Sequence, residues 1–446
     1  MVQPSRCQAA VTVLRGIEPV LVLEQLGSSF FDTALLMVVK DRSVNASYPD
    51  AHLSREESQQ KAMTDFYMTY NLVILLTTIL PALLLARLGD RSRRKVPIVV
   101  SLGGYLMSRV VLLLVVLFRL PLEVMFGSAA LFGLCGGFAA FWSGVMTVAS
   151  LGSAAADRSK VLMRVELLYG ITGLVGSLLS GHLFLLYNTS LGNGTLLLSL
   201  GTLMNLLCFI HSAVLLQVKQ ATNQEAEEDS QILSDVSSTA AATEAPAGIN
   251  KVNMALLFAA AVLYVSAVGG AVEILPMFVM KEPLSWTATQ VGYGNAAGCV
   301  IFITSFLCVV VFRRCIGDIP LIMIGMVSFA SGIFFMSFVT ATYMFYIARS
   351  LNMFALIPMP TIRSLLSQQV PASSCGITLT ALQLSLKFAG LAYIPASTKI
   401  YQKTLNWFPG LIFLLAATLT VLAMIPISVI GCRSAQRRDY EKIREH

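Results

Sequence analysis

Residues 86–118 read ARLGDRSRRKVPIVVSLGGYLMSRVVLLLVVLF. The stretch has two parts. The first ten residues hold the bases Arg87, Arg91, Arg93, Arg94 and Lys95 with a single acid, Asp90. From Pro97 to Phe118 one charge remains, Arg109. So long an apolar stretch suits lipid, because a bilayer core of about 30 Å takes about 20 mostly apolar residues. Lys and Arg clustered at its edge mark the cytosolic side. The segment reads as a membrane helix with its cytosolic anchor.

About twelve such stretches run along the chain. In the first half they centre on residues 20–38, 66–85, 97–118, 124–149, 161–186 and 195–218. In the second half they centre on 254–280, 291–312, 319–339, 344–366, 376–397 and 408–430. The whole chain of 446 residues is 56% hydrophobic and 12% charged, with a mean hydropathy of +0.74. A water-soluble domain carries roughly 25% charge. The first apolar run holds Glu24 and Asp32 and lacks a small-residue cleavage site, so it reads as the first span.

Further bases repeat the bias. Arg158 and Lys160 follow span four, Arg313 and Arg314 follow span eight, and Arg433, Arg437, Arg438, Lys442 and Arg444 fill the tail. The positive-inside rule then places both termini in the cytosol. The net charge of +7 belongs to these flanks, beside lipid, and requires no nucleic-acid polymer as partner. The sequons at Asn45, Asn188 and Asn193 fall on the predicted outer side, where glycosylation is available. The eight cysteines lie in predicted spans or on the cytosolic face. With no CxxC and no Cys/His cluster, the expectation is no disulfide and no metal.

Between the two sets of six spans lies a polar, acidic stretch holding Glu225, Glu227, Glu228, Asp229, Asp235 and Glu244. It has too little apolar surface for a core. The expected fold is an all-α membrane protein of twelve transmembrane helices in two pseudo-symmetric six-helix halves. Residues 1–218 form the first half, 219–252 a disordered cytosolic linker, 253–431 the second half and 432–446 a basic cytosolic tail. Such halves place a substrate site between them near the midplane.

Charges inside spans are expensive and so are candidate functional residues. The acids are Glu24, Asp32, Glu166 and Glu273; the bases weighed against them are Arg109, Arg349, Arg363 and Lys387. Asp32 and Arg109 suit a structural pair between spans one and three. Glu166 reads either as a proton-coupling carboxyl or as half of an ion pair. Arg363 follows Pro358 and Pro360, so its helix is expected to bend. Its guanidinium reads as a contact for an anion or as a structural base. Arg349 lies fourteen residues earlier, about 21 Å along a straight helix, toward the outer mouth. Lys387 reads as a further positive contact or as a snorkelling lysine. Small residues at helical spacing, Gly133 and Gly137, then Gly170, Gly173 and Gly176, suit close helix packing.

The 86–95 loop resembles the major facilitator pattern G-x-x-x-D-x-x-G-R-R/K. Asp90, Arg94 and Lys95 match, while Ala86 and Arg93 replace the glycines. The resemblance implies a gating cluster at these three residues; the plainer reading is a topology anchor, which needs no aspartate. A wider resemblance is carried by Ile17–Val20, Phe141–Met146, Ser180–Phe184, Val291–Gly294, Ile301–Leu307, Ile324–Phe329, Tyr343–Arg349 and Thr361–Ser364. In this order they resemble the proton-coupled folate transporter family of the major facilitator superfamily, above all its thymic stromal cotransporter branch.

That resemblance implies a proton-coupled carrier of organic anions working by alternating access, with no cofactor. Glu166, sixteen residues before His182, falls on the family's coupling glutamate. Arg363, Glu273 and Tyr293 fall on family positions near substrate, and Lys387 joins them as a candidate contact; Tyr293 reads equally as packing. Val268 and Ser285 stand where the folate carrier has histidine and cysteine, and its span-four aspartate falls near Gly137. The implied substrates are therefore the wider class of folate-like anions, cyclic dinucleotides and muropeptides. Plasma membrane and endosomal membrane both fit. The alternative function is a receptor or scaffold that keeps the fold without transport. No HExxH and no nucleophile–base set points to an enzyme.

Overall fold

A computed structural model describes residues 16–44, 54–91, 94–151, 158–186, 194–216, 251–312, 316–369 and 372–444. The backbone in these segments is helical for one dominant reason. In hydrocarbon every N–H and C=O needs a partner, and a helix supplies it within the segment. The helices are α1 (Glu18–Ser43), α2 (Arg55–Arg91), α3 (Val96–Leu117), α4 (Val124–Leu134), α5 (Gly137–Leu151), α6 (Arg158–Leu186) and α7 (Thr195–Val214). The second set is α8 (Lys251–Met280), α9 (Ala288–Phe312), α10 (Asp318–Met336), α11 (Thr342–Leu351), α12 (Pro358–Gln368), α13 (Ala372–Thr404) and α14 (Leu411–Arg444).

Among the described residues, ten spans are long and apolar enough to cross a membrane, with α4 and α5 counted together over Val124–Ala149. The two remaining expected legs are the α11–α12 pair, each too short alone, and α13, which carries Lys387, Lys399 and Lys403. The expected linker lies almost entirely outside the described residues; α8 begins at Lys251, inside its expected end. Helix α14 continues through the basic tail to Arg444.

Two legs are broken, and they are the fourth of each set. Between α4 and α5 the chain passes through Gly136 (φ +87°) and Gly137 (φ +52°), a left-handed backbone that glycine adopts without strain. The freed Cys135 carbonyl accepts from Ser101 Oγ at 3.2 Å. Between α11 and α12 the break runs from Asn352 to Ile357, just ahead of Pro358. Side chains of three neighbouring helices satisfy it. Met353 O accepts from Thr304 Oγ1 (2.7 Å) and Ser305 Oγ (2.9 Å), Leu351 O from Ser328 Oγ, and Ala355 O from the Tyr264 hydroxyl. Ser305 and Ser328 also accept from Leu356 N and Phe354 N.

The packing repeats between the sets. Helix α1 lies against α6 and α7 as α8 lies against α13 and α14, and α3 meets α7 as α10 meets α14. The sets join along two seams, α6 with α9 and α2 with α13. On the first seam a Cβ at Gly181 would sit 2.6 Å from Ala288 O, and one at Gly292 would sit 2.5 Å from Ser177 O, so only glycine permits this approach. Of the glycines singled out by spacing, Gly173 and Gly176 meet Gln25 and Ser29 of α1, and Gly133 meets Thr77 of α2.

A Cβ at Gly136 would meet both a left-handed φ and Ala140 Cβ at 2.5 Å, whereas one at Gly127 meets nothing within 4 Å. Gly136→Ala is expected to destabilise the protein by at least about 1–2 kcal/mol, the penalty of a left-handed Cβ. Gly127→Ala should stay within about 0.5 kcal/mol. Thermal unfolding in detergent checks the pair, and equal melting temperatures would refute this account of the break.

Candidate functional site

A cavity of about 640 Å³ lies between the two sets of helices. Helices α1 to α6 line it from one side, and α8, α9 and α11 from the other. Its size is that of pockets that hold one drug-sized molecule. Most of the wall is apolar and aromatic, including Phe31, Phe132, Phe138, Tyr169, Phe302 and Phe345. Four charged side chains break it: Asp32, Arg109, Glu273 and Arg349.

Arg109 and its surroundings form one polar cluster. Arg109 is 3% exposed and Glu24 is fully buried. Ser28 bridges them: Arg109 Nη2 donates to Ser28 Oγ at 2.7 Å, and Ser28 Oγ donates to Glu24 Oε1 at 2.5 Å. The guanidinium also lies over the rings of Tyr105 (4.4 Å) and Phe31 (4.7 Å). Asp32, two turns from Glu24 on the same helix face, is within electrostatic reach of the same guanidinium. One cation thus serves two carboxyl groups, one at the cavity wall and one behind it.

The opposite wall is arranged differently. Glu273 of α8 accepts from Asn71 Nδ2 of α2, a direct bond between the two sets. Arg349 of α11 lies over the Phe345 ring at 5.4 Å, and its Nε is enclosed with no hydrogen-bond partner.

The other residues singled out by sequence lie elsewhere. Glu166 on α6 is partly buried and lies within electrostatic reach of Arg363 on α12, across the divide between the sets. With its amide oxygen turned toward Arg363, Gln383 accepts from Nη2 (2.9 Å) and Nε (3.2 Å). Lys387 is on α13, half-buried, and is outside the cavity wall. Tyr293 is exposed, and its hydroxyl pairs with His182 Nε2 at 2.9 Å across the α6–α9 seam. Of the gating candidates, Lys95 Nζ donates to Ala213 O at 2.9 Å, closing the C-terminal turn of α7. Arg94 is engaged in a contact of its own. The Asp90 side chain and the sequons at Asn45, Asn188 and Asn193 lie outside the described residues. Five cysteines, Cys135, Cys208, Cys299, Cys308 and Cys432, carry free thiols, and no metal-ligating cluster occurs among the described residues.

Of the candidate substrate contacts, the cavity wall therefore contains Glu273. Arg109 and Asp32, read from sequence as a structural pair, line the cavity, as does Arg349, read as a mouth residue. Asn71, Tyr67 and Tyr70 were not singled out at all; a midspan asparagine was the available signal.

The two sets are tied at the end opposite the termini. Lys399 Nζ and Gln402 Nε2 of α13 donate to Asp65 Oδ1 of α2 at 2.9 and 2.8 Å, and Gln402 Nε2 is 2.7 Å from Thr64 Oγ1. Glu282 N donates to Glu56 Oε1 at 3.0 Å nearby. Asn71, six residues along α2 from Asp65, and Glu273 both lie in the cavity wall, bonded to each other.

Comparison with known proteins follows the geometry. The family model described as Major Facilitator Superfamily matches residues 60–386. The chain is 42% identical to solute carrier family 46 member 2 of Canis lupus familiaris, over 96% of this chain and 95% of that protein. It is 26% identical to the lysosomal proton-coupled steroid conjugate and bile acid symporter of Pongo abelii, over 86% of this chain and 83% of that protein. Among solved structures the D-xylose-proton symporter superposes with a TM-score of 0.66 at 13% identity, covering 92% of this chain and 96% of that one.

The contacts around Asp65 can be tested for whether they restrict access to the cavity at this end. Cys299 lies in the cavity wall and reports access. Asp65→Asn combined with Gln402→Ala is expected to speed labelling of Cys299 several-fold by an impermeant maleimide applied from that face, read by mass spectrometry of the peptide. An unchanged rate would mean that these bonds do not hold the end shut.

Proposed function

The chain belongs to the major facilitator superfamily and, within it, to solute carrier family 46, and from that premise we propose that it imports organic anions together with protons by alternating access. A multi-pass transporter, not an enzyme, is what family and fold establish. The observation that carries the finer reading is the cavity itself. It lies between two repeated helix sets and holds acids and bases in a mostly apolar and aromatic wall, and the two sets are joined at one end by polar contacts. Those are the parts a carrier needs: a site reached from one face at a time, and a closure whose strength is modest.

Glu166 and Arg363 are the proposed coupling pair. They sit on opposite sets and feel each other's charge. Any motion that separates the sets at the termini end separates this carboxylate from its guanidinium. Protonation of Glu166 removes the attraction, so a proton biases the conformational balance without touching substrate. Arg363 then resets the acid after release, or contacts an anionic substrate on its way out. Asp90, Arg94 and Lys95 belong to the same reading as a gating cluster, with Glu273, Tyr293 and Lys387 as candidate substrate contacts. The termini and the Asp90 loop face the cytosol and Asn45, Asn188 and Asn193 the opposite side, at the plasma membrane or an endosome. The Pongo abelii relative, a lysosomal proton-coupled symporter of steroid conjugates and bile acids, supports both the proton and the organic anion. The substrate class includes folate-like anions, cyclic dinucleotides and muropeptides.

The test is uptake of a labelled panel (a folate, a cyclic dinucleotide, a muropeptide and a steroid sulfate) at acidic and neutral pH. Uptake is expected to rise at acidic pH for at least one anion, and Glu166→Gln is expected to reduce that rise several-fold with equal protein at the surface. Absence of uptake at both pH values from surface-resident protein would overturn the transport reading in favour of a receptor or scaffold.

A further inference from the structure

Arg349 is the anomaly of the central cavity. The other three charged side chains in its wall have partners. Arg109 has Ser28, Glu24 and Asp32, and Glu273 has Asn71. Arg349 has none among the described residues beyond the Phe345 ring and the nearby Cys299 thiol. A cation held inside the membrane region without a counter-charge costs several kcal/mol. Such a group persists where water or a ligand meets it.

Its surroundings fix which edge is available. The Nε is enclosed and unbonded, so the side-on fork is closed to an incoming group. The side chain nonetheless lines the cavity, which leaves the terminal Nη edge to a ligand. Gly298 leaves that edge uncovered, since a Cβ there would come into van der Waals contact with Nη2 at 3.8 Å. A guanidinium presenting two Nη donors matches two oxygens of one carboxylate or sulfate. Beside it, Trp286 and Phe345 meet edge to face at 4.6 Å, and Phe302 continues the apolar wall.

The charge count limits the ligand. A dianion needs two cations, but among the described residues the only other arginine in the wall, Arg109, already serves two carboxyl groups. A second anionic group would face Asp32 and Glu273 across a low-dielectric cavity. We propose that Arg349 is the anion-binding residue of the central cavity, and that the site takes a monoanion carried on a rigid apolar body. This rests on the organic-anion reading above and narrows it: sulfated or carboxylated amphipaths are favoured over cyclic dinucleotides and other dianions.

The experiment is direct binding to the purified full-length carrier, followed by Trp286 fluorescence and by calorimetry. The probes are a steroid sulfate, its unsulfated parent alcohol and a cyclic dinucleotide. Wild type is expected to bind the sulfate at least tenfold more tightly than either other probe. Arg349→Gln should bring the sulfate down to the affinity of the alcohol and leave the alcohol unchanged. Arg349→Lys keeps a charge in place and should recover part of the preference, which guards against a variant that fails to fold. The inference is overturned if Arg349→Gln keeps the preference for the sulfate, or if the dianion binds wild type more tightly than the monoanion. Proton-driven uptake of an anion whose binding ignores Arg349 would overturn this inference and leave the transport reading intact. Binding that requires Arg349 without uptake at any pH would do the reverse.

Discussion

A backbone in hydrocarbon must satisfy its own polar groups, and where the helix stops it must borrow partners. The break between α11 and α12 is where this constraint shapes the site. Five hydroxyl-to-carbonyl or amide-to-hydroxyl bonds from Thr304, Ser305 and Ser328, with Tyr264 closing the far side, replace the missing helical ladder. These donors come from α8, α9 and α10, so the break is held by its neighbours and is not a loose hinge. It also separates two arginines. On an uninterrupted helix, Arg349 and Arg363 would share a face about 21 Å apart. With the break between them, Arg349 lines the cavity while Arg363 meets Gln383 and the field of Glu166. One leg therefore supplies both the proposed anion contact and the proposed coupling base.

The corresponding break on the other side uses glycine in place of borrowed hydroxyls. Gly136 and Gly137 turn through a left-handed backbone, and Ser101 covers the exposed carbonyl of Cys135. Phe132 and Phe138 flank this turn and both reach the cavity wall. Two chemically different solutions at equivalent places in the two sets produce the same result, a wall whose backbone bends around the cavity. The requirement is common to the repeat, and the residues that meet it are not.

How much of this was legible in the sequence follows from what each feature depends on. The span pattern and the division into halves depend on composition along the chain, so residues 97–118 and their counterparts displayed them plainly. The bend near Pro358 was visible, but its start at Asn352 was not, because the serines that hold it lie 24 and 47 residues upstream in sequence. The charged residues inside spans stood out by cost alone, and all four charges of the cavity wall were among them. Their partners did not stand out. That Arg109 is shared by two acids, that Glu273 meets Asn71 and that Arg349 meets neither acid are facts about contacts between helices. No spacing on a single helix encodes them.

The contacts between the two sets divide into strong and weak in a way that suits motion. Along α6 and α9, glycine brings backbone against backbone, with a Cβ excluded on both sides. Such packing is short-range and is lost with a displacement of an ångström. It favours pivoting along the seam over separation. At the end where Asp65 meets α13 the contacts between the sets are polar instead. Lys399 and Asp65 are 53% and 30% exposed, and a pair so placed contributes at most about 1 kcal/mol. The hydrogen bonds from Gln402 and Asn71 add to it, yet each is offset by water when the end opens. A carrier needs two states close enough in energy for a proton or a substrate to tip them, within the few kcal/mol that ligand binding supplies. In the proposed cycle a tight glycine seam beside weak polar contacts gives that balance, since the seam holds the sets together while the polar contacts exchange with water.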